Sequence, residues 1–173
     1  MNGRRMRPAP ILAFVGRHDS GKTTLIREVA QELRSRGHRI AVIKSTKHDM
    51  PPSDTPGTDT GLFLEDGIGS VALVGPSTIR LVQENIGEPL PELAARLFPG
   101  VDLVIAEGFK HCPDIPKIEV WRAGLRERPL SGNVPGVVAM VSDVAVEDGG
   151  IRCISRFDVP AVIEFIEGFI QKE

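Results

Sequence analysis

The sequence is poor in cysteine and in net charge, and each scarcity narrows what the protein is expected to do. Its two cysteines, Cys112 and Cys153, form no C-x-x-C pair, so neither a disulfide framework nor a zinc knuckle is predicted. A reducing cytoplasm is therefore the expected location. The net charge of -2 at pH 7 provides no electrostatic attraction to nucleic acid or to a membrane, and neither is expected as a partner.

The N-terminus carries a small basic cluster that we interpret as a tail over residues 1–9. Arg4, Arg5 and Arg7 form this cluster, and no apolar core of a signal peptide follows before Gly16. The chain contains no internal repeat and no low-complexity tract. Its 173 residues predict a single domain over residues 1–173, long enough to bury most of its apolar surface.

The most informative stretch is residues 11–25, ILAFVGRHDSGKTTL, in which an apolar run ends at Gly16 and a helix-forming segment begins at Lys22. Gly16, Gly21, Lys22 and Thr23 match the phosphate-binding pattern G-x-x-x-x-G-K-[ST]. The glycines allow backbone N–H groups to approach phosphate oxygens, because no Cβ intervenes. Lys22 supplies a positive charge to the β- and γ-phosphates, and the Thr23 hydroxyl is placed to bind the bridging Mg²⁺.

Three further residues of this loop, Asp19, Ser20 and Thr24, belong to the same predicted phosphate-binding set. The helix that begins near Lys22 adds the positive end of its dipole. The alternative is a glycine-rich turn that binds nothing. The position of the motif between a strand and a helix favours the phosphate interpretation.

The hydrophobic pattern predicts a three-layer α/β domain of the P-loop NTPase type. A strand before the loop, a helix over residues 24–36 and a strand over residues 39–44 form a β-loop-α-β unit, which implies a mostly parallel sheet. Residues 70–74 and 79–82 predict a local antiparallel pair that could form a projecting β-hairpin. Residues 159–170 predict an amphipathic helix capped by Asp158.

Two carboxylates are predicted near the metal. Glu107 follows the buried strand over residues 101–106 at its carboxyl end, where ligands bind in open α/β sheets; a surface carboxylate at a strand end is the alternative. Asp49 lies in the loop after the second strand, and a solvated loop of mixed charge is an equal alternative. Lys44 or Lys47 of the same segment could add positive charge near a phosphate or an anionic substrate.

The loop after Glu107 contains Lys110, His111 and Lys117, which could hold a phosphorylated ligand or a partner, although a plain polar connection is the alternative. Asp143, at the end of a later strand, could accept hydrogen bonds from N1–H and N2–H₂ of guanine. No N-K-x-D motif accompanies it.

Together these motifs resemble the MobB family of molybdopterin-guanine dinucleotide biosynthesis adaptor proteins. The resemblance covers nearly the whole chain. It rests on GRHDSGKTTL, on IKSTKHDM followed by PGTDT, on AEGFKHCPDIPKIEVWR and on the V-S-D run that ends at Asp143. Family members typically carry I-K-H-x-H-H-D, and this chain has Ser45 and Lys47 at two of the histidine positions, while His48 and Asp49 match.

The resemblance implies a homodimeric GTP-binding protein of the SIMIBI branch, with weak GTP hydrolysis at most. Such proteins assist MobA, the guanylyltransferase that joins GMP from GTP to molybdopterin, and molybdopterin itself is a further candidate ligand. Carried over by position, residues 16–24 would hold the phosphates, Asp49 and Glu107 would flank Mg²⁺, and the Lys110 loop would face the cofactor or the partner.

Two other functions share the phosphate-binding motif. A small-metabolite kinase or ATP-dependent ligase of the dethiobiotin-synthetase type would show rapid, substrate-stimulated turnover. A nucleotide-gated module of the MinD type would need a membrane or filament surface, and Arg17 stands where such proteins carry a signature lysine. The sequence offers no obvious general base, which favours nucleotide binding with slow turnover.

Overall fold

Strands and helices alternate along the chain, as a layered α/β fold requires. The computed structural model describes residues 8–48, 59–125, 128–146 and 150–171. In chain order the elements are β1 (Ile11–Val15), α1 (Lys22–Ser35), β2 (Ile40–Lys44), α2 (Asp59–Glu65), β3 (Ser70–Val74), β4 (Ile79–Gln83), α3 (Leu90–Leu97), β5 (Leu103–Glu107), β6 (Lys117–Trp121), β7 (Val137–Ser142), β8 (Arg152–Ser155) and α4 (Val159–Ile170).

These elements form two compact units. The first comprises the described residues up to Ser45 and from Leu90 onward, and the second comprises the described residues between Thr46 and Pro89. The single domain over residues 1–173 stays a prediction.

A six-stranded sheet with the spatial order β2-β5-β1-β6-β7-β8 forms the centre of the first unit. Every pair of neighbouring strands in it is parallel. The central strands β1 and β5 are buried over all five of their residues, as continuous apolar runs predict for a sheet that is covered on both faces. Because all six strands run parallel, their carboxyl ends meet at one edge of the sheet.

Helices cover both faces of this sheet and complete three layers. On one face α1 and α4 pack against the strands through buried residues such as Leu25, Val29 and Ile163. On the other face α3 packs through Leu90 and Ala94. The predicted P-loop NTPase-like architecture is confirmed. Helix α1 begins at Lys22, where the phosphate-loop motif predicts it, because the left-handed Gly21 directly precedes it.

The second unit contains the predicted antiparallel pair. Strands β3 and β4 pair from Ser70 opposite Gln83 to Val74 opposite Ile79, so the antiparallel hairpin is confirmed. Helix α2 spans Asp59–Glu65 and precedes this hairpin in the chain.

Strand β6 carries two charged side chains that are fully buried. Glu119 accepts hydrogen bonds from the backbone N–H groups of Leu130 at 2.6 Å and Ser131 at 2.8 Å. Lys117 Nζ donates to two backbone carbonyl oxygens, those of residues 112 and 115, and burial lowers the pKa of Lys117. Buried polar groups need such partners, so these two side chains hold the segments on either side of β6. The expectation that Lys117 helps to hold a ligand is therefore wrong, because its ammonium is enclosed.

We expect Glu119→Gln to lower the free energy of unfolding by roughly 1–3 kcal/mol, because glutamine offers one acceptor oxygen to the two backbone N–H groups of Leu130 and Ser131. Urea denaturation measures the change. Glu164→Gln, on the exposed side of α4, is the control and should shift stability by no more than about 0.5 kcal/mol. A loss no larger than that of the control would contradict the structural role of Glu119.

Candidate functional site

The loop between β1 and α1 closes around the ammonium group of Lys22. Lys22 Nζ donates to the carbonyl oxygens of Gly16 at 3.1 Å and of Arg17 at 2.6 Å. A third hydrogen bond, of 3.3 Å, reaches Oγ of the buried Ser20. Burial lowers the pKa of Lys22, and the nearby Glu107 carboxylate partly offsets this effect. The loop is thus organised around a fixed positive charge.

Gly16 is needed because the loop lies directly against strand β6. Its φ is 154°, and a Cβ atom at this position would lie 2.3 Å from the carbonyl oxygen of Val120 and 2.8 Å from Ser20 Oγ. No side chain fits into that space. The first glycine of the motif therefore fixes the distance between the loop and the carboxyl end of β6.

The amino end of α1 is suited to an anion. Its N-cap residue is Gly21, so no side chain caps the helix, and its first turn contains no acidic residue. Helix α4 differs, because Asp158 Oδ1 accepts from the backbone N–H of Ala161 at 3.0 Å. Within the loop Asp19 has a φ of 58°, a strained value for a residue other than glycine. The exposed N–H groups and the helix dipole together favour phosphate binding.

Two of the predicted metal residues lie together at the end of β5. Thr23 Oγ1 donates to Glu107 Oε1 at 2.8 Å, and Lys44 Nζ lies 3.2 Å from the same oxygen. Hydroxyl and carboxylate oxygens are the ligands that Mg²⁺ prefers, and Mg²⁺ at phosphate sites is held by one or two protein groups together with phosphates and waters. The Thr23 and Glu107 pair fits such an ion.

The third predicted metal residue, Asp49, lies outside the described residues. Across the described ranges, no three His, Cys, Asp or Glu side chains form a cluster that could hold a metal by themselves. A metal site built from Thr23, Glu107 and phosphate oxygens needs no such cluster.

An open cleft of about 590 Å³ extends over the loop. Its lining consists of His18, Asp19, Gly21, Lys22, Thr23, Thr24, Lys44, Glu107 and Arg122. The volume falls within the range of small-molecule sites, and most of the predicted phosphate-binding residues take part. The lining contains three cationic side chains, which suits a polyphosphate ligand.

Two predicted ligand-binding residues beyond the phosphate loop, Lys110 and Asp143, do not line this cleft. Lys110 is exposed and follows Phe109, whose left-handed φ of 56° marks a sharp change in chain direction after β5. Asp143 is half-buried, and its Oδ1 accepts from the backbone N–H of Ala123 at 2.7 Å. This bond ties Asp143 to the turn that follows β6. The roles of Lys110 in ligand binding and of Asp143 in guanine recognition stay predictions.

Sequence reasoning missed Arg122 as a cleft residue. The available signal was its position directly after the apolar strand β6, at the edge of the sheet where Glu107 also lies. The sequence does not show which strands neighbour β1, and this order decides that Arg122 reaches the loop.

The fold and the site together define a P-loop NTPase-like α/β protein. Residues 11–143 match the model of the MobB family, described as molybdopterin guanine dinucleotide synthesis protein B, and the chain belongs to this family. No helix in the described part of the chain is both long and apolar enough to cross a membrane.

Relatives and solved structures agree with this assignment. The molybdopterin-guanine dinucleotide biosynthesis adapter protein of Escherichia coli (strain K12) is 33% identical over 169 residues, which cover 95% of both chains. The adapter protein of that name from Haemophilus influenzae is 32% identical and covers 93% of this chain and 89% of its own. A crystal structure of molybdopterin-guanine biosynthesis protein B is 28% identical with a TM-score of 0.72, covering 93% of this chain and 99% of that one.

We expect Glu107→Gln to raise the Mg²⁺ concentration needed for half-maximal nucleotide binding by roughly 10- to 100-fold, because a partner of the metal is lost. Nucleotide binding without the metal should be partly kept. A neutral amide oxygen is a poor replacement for the carboxylate that contacts Thr23. Titration of Mg²⁺ at fixed nucleotide concentration measures the change, and Glu92→Gln on the exposed side of α3 is the control. A Mg²⁺ titration identical to that of the wild type would exclude the metal role.

Proposed function

We propose that this protein is a GTP-binding adaptor in the biosynthesis of molybdopterin-guanine dinucleotide, with weak GTP hydrolysis at most. The observation that carries the proposal is the Lys22 loop beside the Thr23 and Glu107 pair, in a chain that belongs to the MobB family. The relatives named above are adapter proteins of this biosynthesis, which supports the same role here.

The residues divide the work of holding GTP. Backbone groups of residues 16–24 and the ammonium of Lys22 bind the phosphates, and the open start of α1 adds its dipole. Thr23 and Glu107, together with Asp49 from the segment after β2, would hold Mg²⁺. When bound, this ion neutralises charge on the β- and γ-phosphates. Lys44 Nζ pairs with the Glu107 carboxylate at 3.2 Å and adds a positive charge beside the phosphate site.

The cleft favours binding over rapid hydrolysis. A general base must be free to accept a proton from the attacking water. Glu107 is engaged by Thr23 and Lys44, and Asp19 is an exposed carboxylate whose Oδ2 lies 2.9 Å from His18 Nδ1. Glu107 is thus held by two partners and is not free to accept that proton, which supports GTP binding with slow turnover.

A protein partner is part of the proposal. The partner is a MobA-type guanylyltransferase, which consumes GTP, and molybdopterin is a further candidate ligand near Lys110. We also propose a homodimer in the cytoplasm. The hairpin of the second unit supplies apolar surface suited to protein association, since Val74 and Ile79 are 70% and 72% exposed.

Calorimetric titration with GTP and with ATP in the presence of Mg²⁺, followed by a phosphate-release assay on the same sample, tests this function. We expect selective GTP binding and slow release. Preference for ATP, or fast release stimulated by a small metabolite, would contradict the adaptor and favour a kinase or ligase. Co-purification with the guanylyltransferase, measured with and without GTP, then tests the partner.

We expect Lys22→Ala to weaken GTP binding by roughly 10- to 100-fold, because the lost ammonium makes a charge-assisted hydrogen bond to phosphate. The oligomeric state and the secondary structure should remain those of the wild type. Arg34→Ala removes the same charge near the other end of α1 and should leave GTP affinity unchanged. Equal affinities of the wild type and Lys22→Ala by calorimetry would remove the phosphate-loop argument.

A further inference from the structure

Arg122 directly follows β6, and its side chain reaches the candidate cleft from the side opposite Glu107. In the sheet β6 and β5 flank β1, one on each side. Arg122 Nη1 lies 3.5 Å from the backbone oxygen of Asp19, and the Arg122 side chain lines the cleft. The phosphate loop therefore lies between Arg122 on one side and the Glu107 and Lys44 pair on the other.

The backbone on both sides of Arg122 is fixed. Two residues earlier, the Val120 carbonyl oxygen lies so close to Gly16 that a Cβ would approach it to 2.3 Å. One residue later, Ala123 N–H donates to Asp143 Oδ1 at 2.7 Å. The side chain of Arg122 is exposed. Its hydrogen bond to the Asp19 backbone oxygen is long, at 3.5 Å, and uses one of the five guanidinium donors. A fixed base with donors directed over the loop is the arrangement of a ligand-binding arginine.

The metal ligands set the polarity of the cleft. A Mg²⁺ ion at the β- and γ-phosphates would be held by Thr23 and Glu107, which lie toward β5. The γ-phosphate end of a nucleotide bound in this way would face β5, and the end next to the ribose would face β6. Arg122 stands at this second end.

We propose that Arg122 binds the part of a guanine nucleotide that the triphosphate and the diphosphate share, at the phosphate next to the ribose. The planar guanidinium forms paired, charge-assisted hydrogen bonds to phosphate oxygens. The hydrogen bond from Ala123 N–H to Asp143 Oδ1 holds the turn from which Arg122 extends. The inference rests on the proposed function and adds to it a second anchoring point that is independent of Mg²⁺.

Calorimetric titration of wild type, Arg122→Ala and Arg122→Lys with GTP and with GDP tests the assignment. We expect Arg122→Ala to weaken binding of both nucleotides by the same factor, about tenfold or more, as loss of a charge-assisted hydrogen bond predicts. Arg122→Lys should recover only part of the loss, because an ammonium lacks the paired donors. Arg34→Ala, which removes the same charge roughly 18 Å along α1 from Lys22, is the matched control.

The titrations distinguish failure of the Arg122 assignment from failure of the proposed GTP-binding function. Wild type that binds GTP and GDP, with Arg122→Ala unchanged, would overturn the inference and leave the proposed function intact. Loss confined to GTP would place Arg122 at the γ-phosphate and would also overturn it. Failure of the wild type to bind either nucleotide would overturn both. Thermal denaturation of each variant confirms that exposed Arg122 was changed without loss of the fold.

Discussion

The contact between Gly16 and the Val120 carbonyl oxygen is the constraint on which the candidate site depends. Only a residue without a Cβ can occupy this position, since an added atom would lie 2.3 Å from that oxygen. The contact sets the height of the phosphate loop above the sheet. It thereby places Lys22 at the centre of the loop, and it places the residues after β6 next to the loop.

The remainder of the site follows from the parallel sheet. Parallel strands bring their carboxyl ends to the same edge, so residues far apart in sequence become neighbours there. Lys44 and Glu107 are paired in register on adjacent strands, which explains why their side chains meet beside Thr23. A single edge thus gathers the cation, the carboxylate and the hydroxyl that a metal-bound polyphosphate requires.

The parts of the fold that depend on local pattern could be predicted from the sequence. The apolar runs of β1 and β5, the glycine-lysine motif and the Asp158 cap of α4 each follow from neighbouring residues, and the structure contains them. The burial of Lys117 and Glu119 could not be predicted this way. The partners of Glu119 are backbone N–H groups 11 and 12 residues further along the chain, and those of Lys117 are carbonyl oxygens of the turn just before β6. A charged residue on an apolar strand gives no local sign of such partners.

Arg122 and Asp143 show the same limit within the site. Strand order decides whether the end of β6 lies beside the loop, and a β-α-β pattern is compatible with several orders. Asp143 was correctly placed at a strand end, but its contact with Ala123 depends on a turn that no motif marks.

The uncapped start of α1 has a consequence for the protein in the cell. No side chain caps the first N–H groups of α1, so an anion that binds them would stabilise the fold. A ligand that binds only the folded chain adds about 2.7 kcal/mol of stability when its concentration is 100 times its Kd. With the proposed nucleotide as that ligand, resistance of the protein to unfolding and proteolysis would rise with the nucleotide concentration.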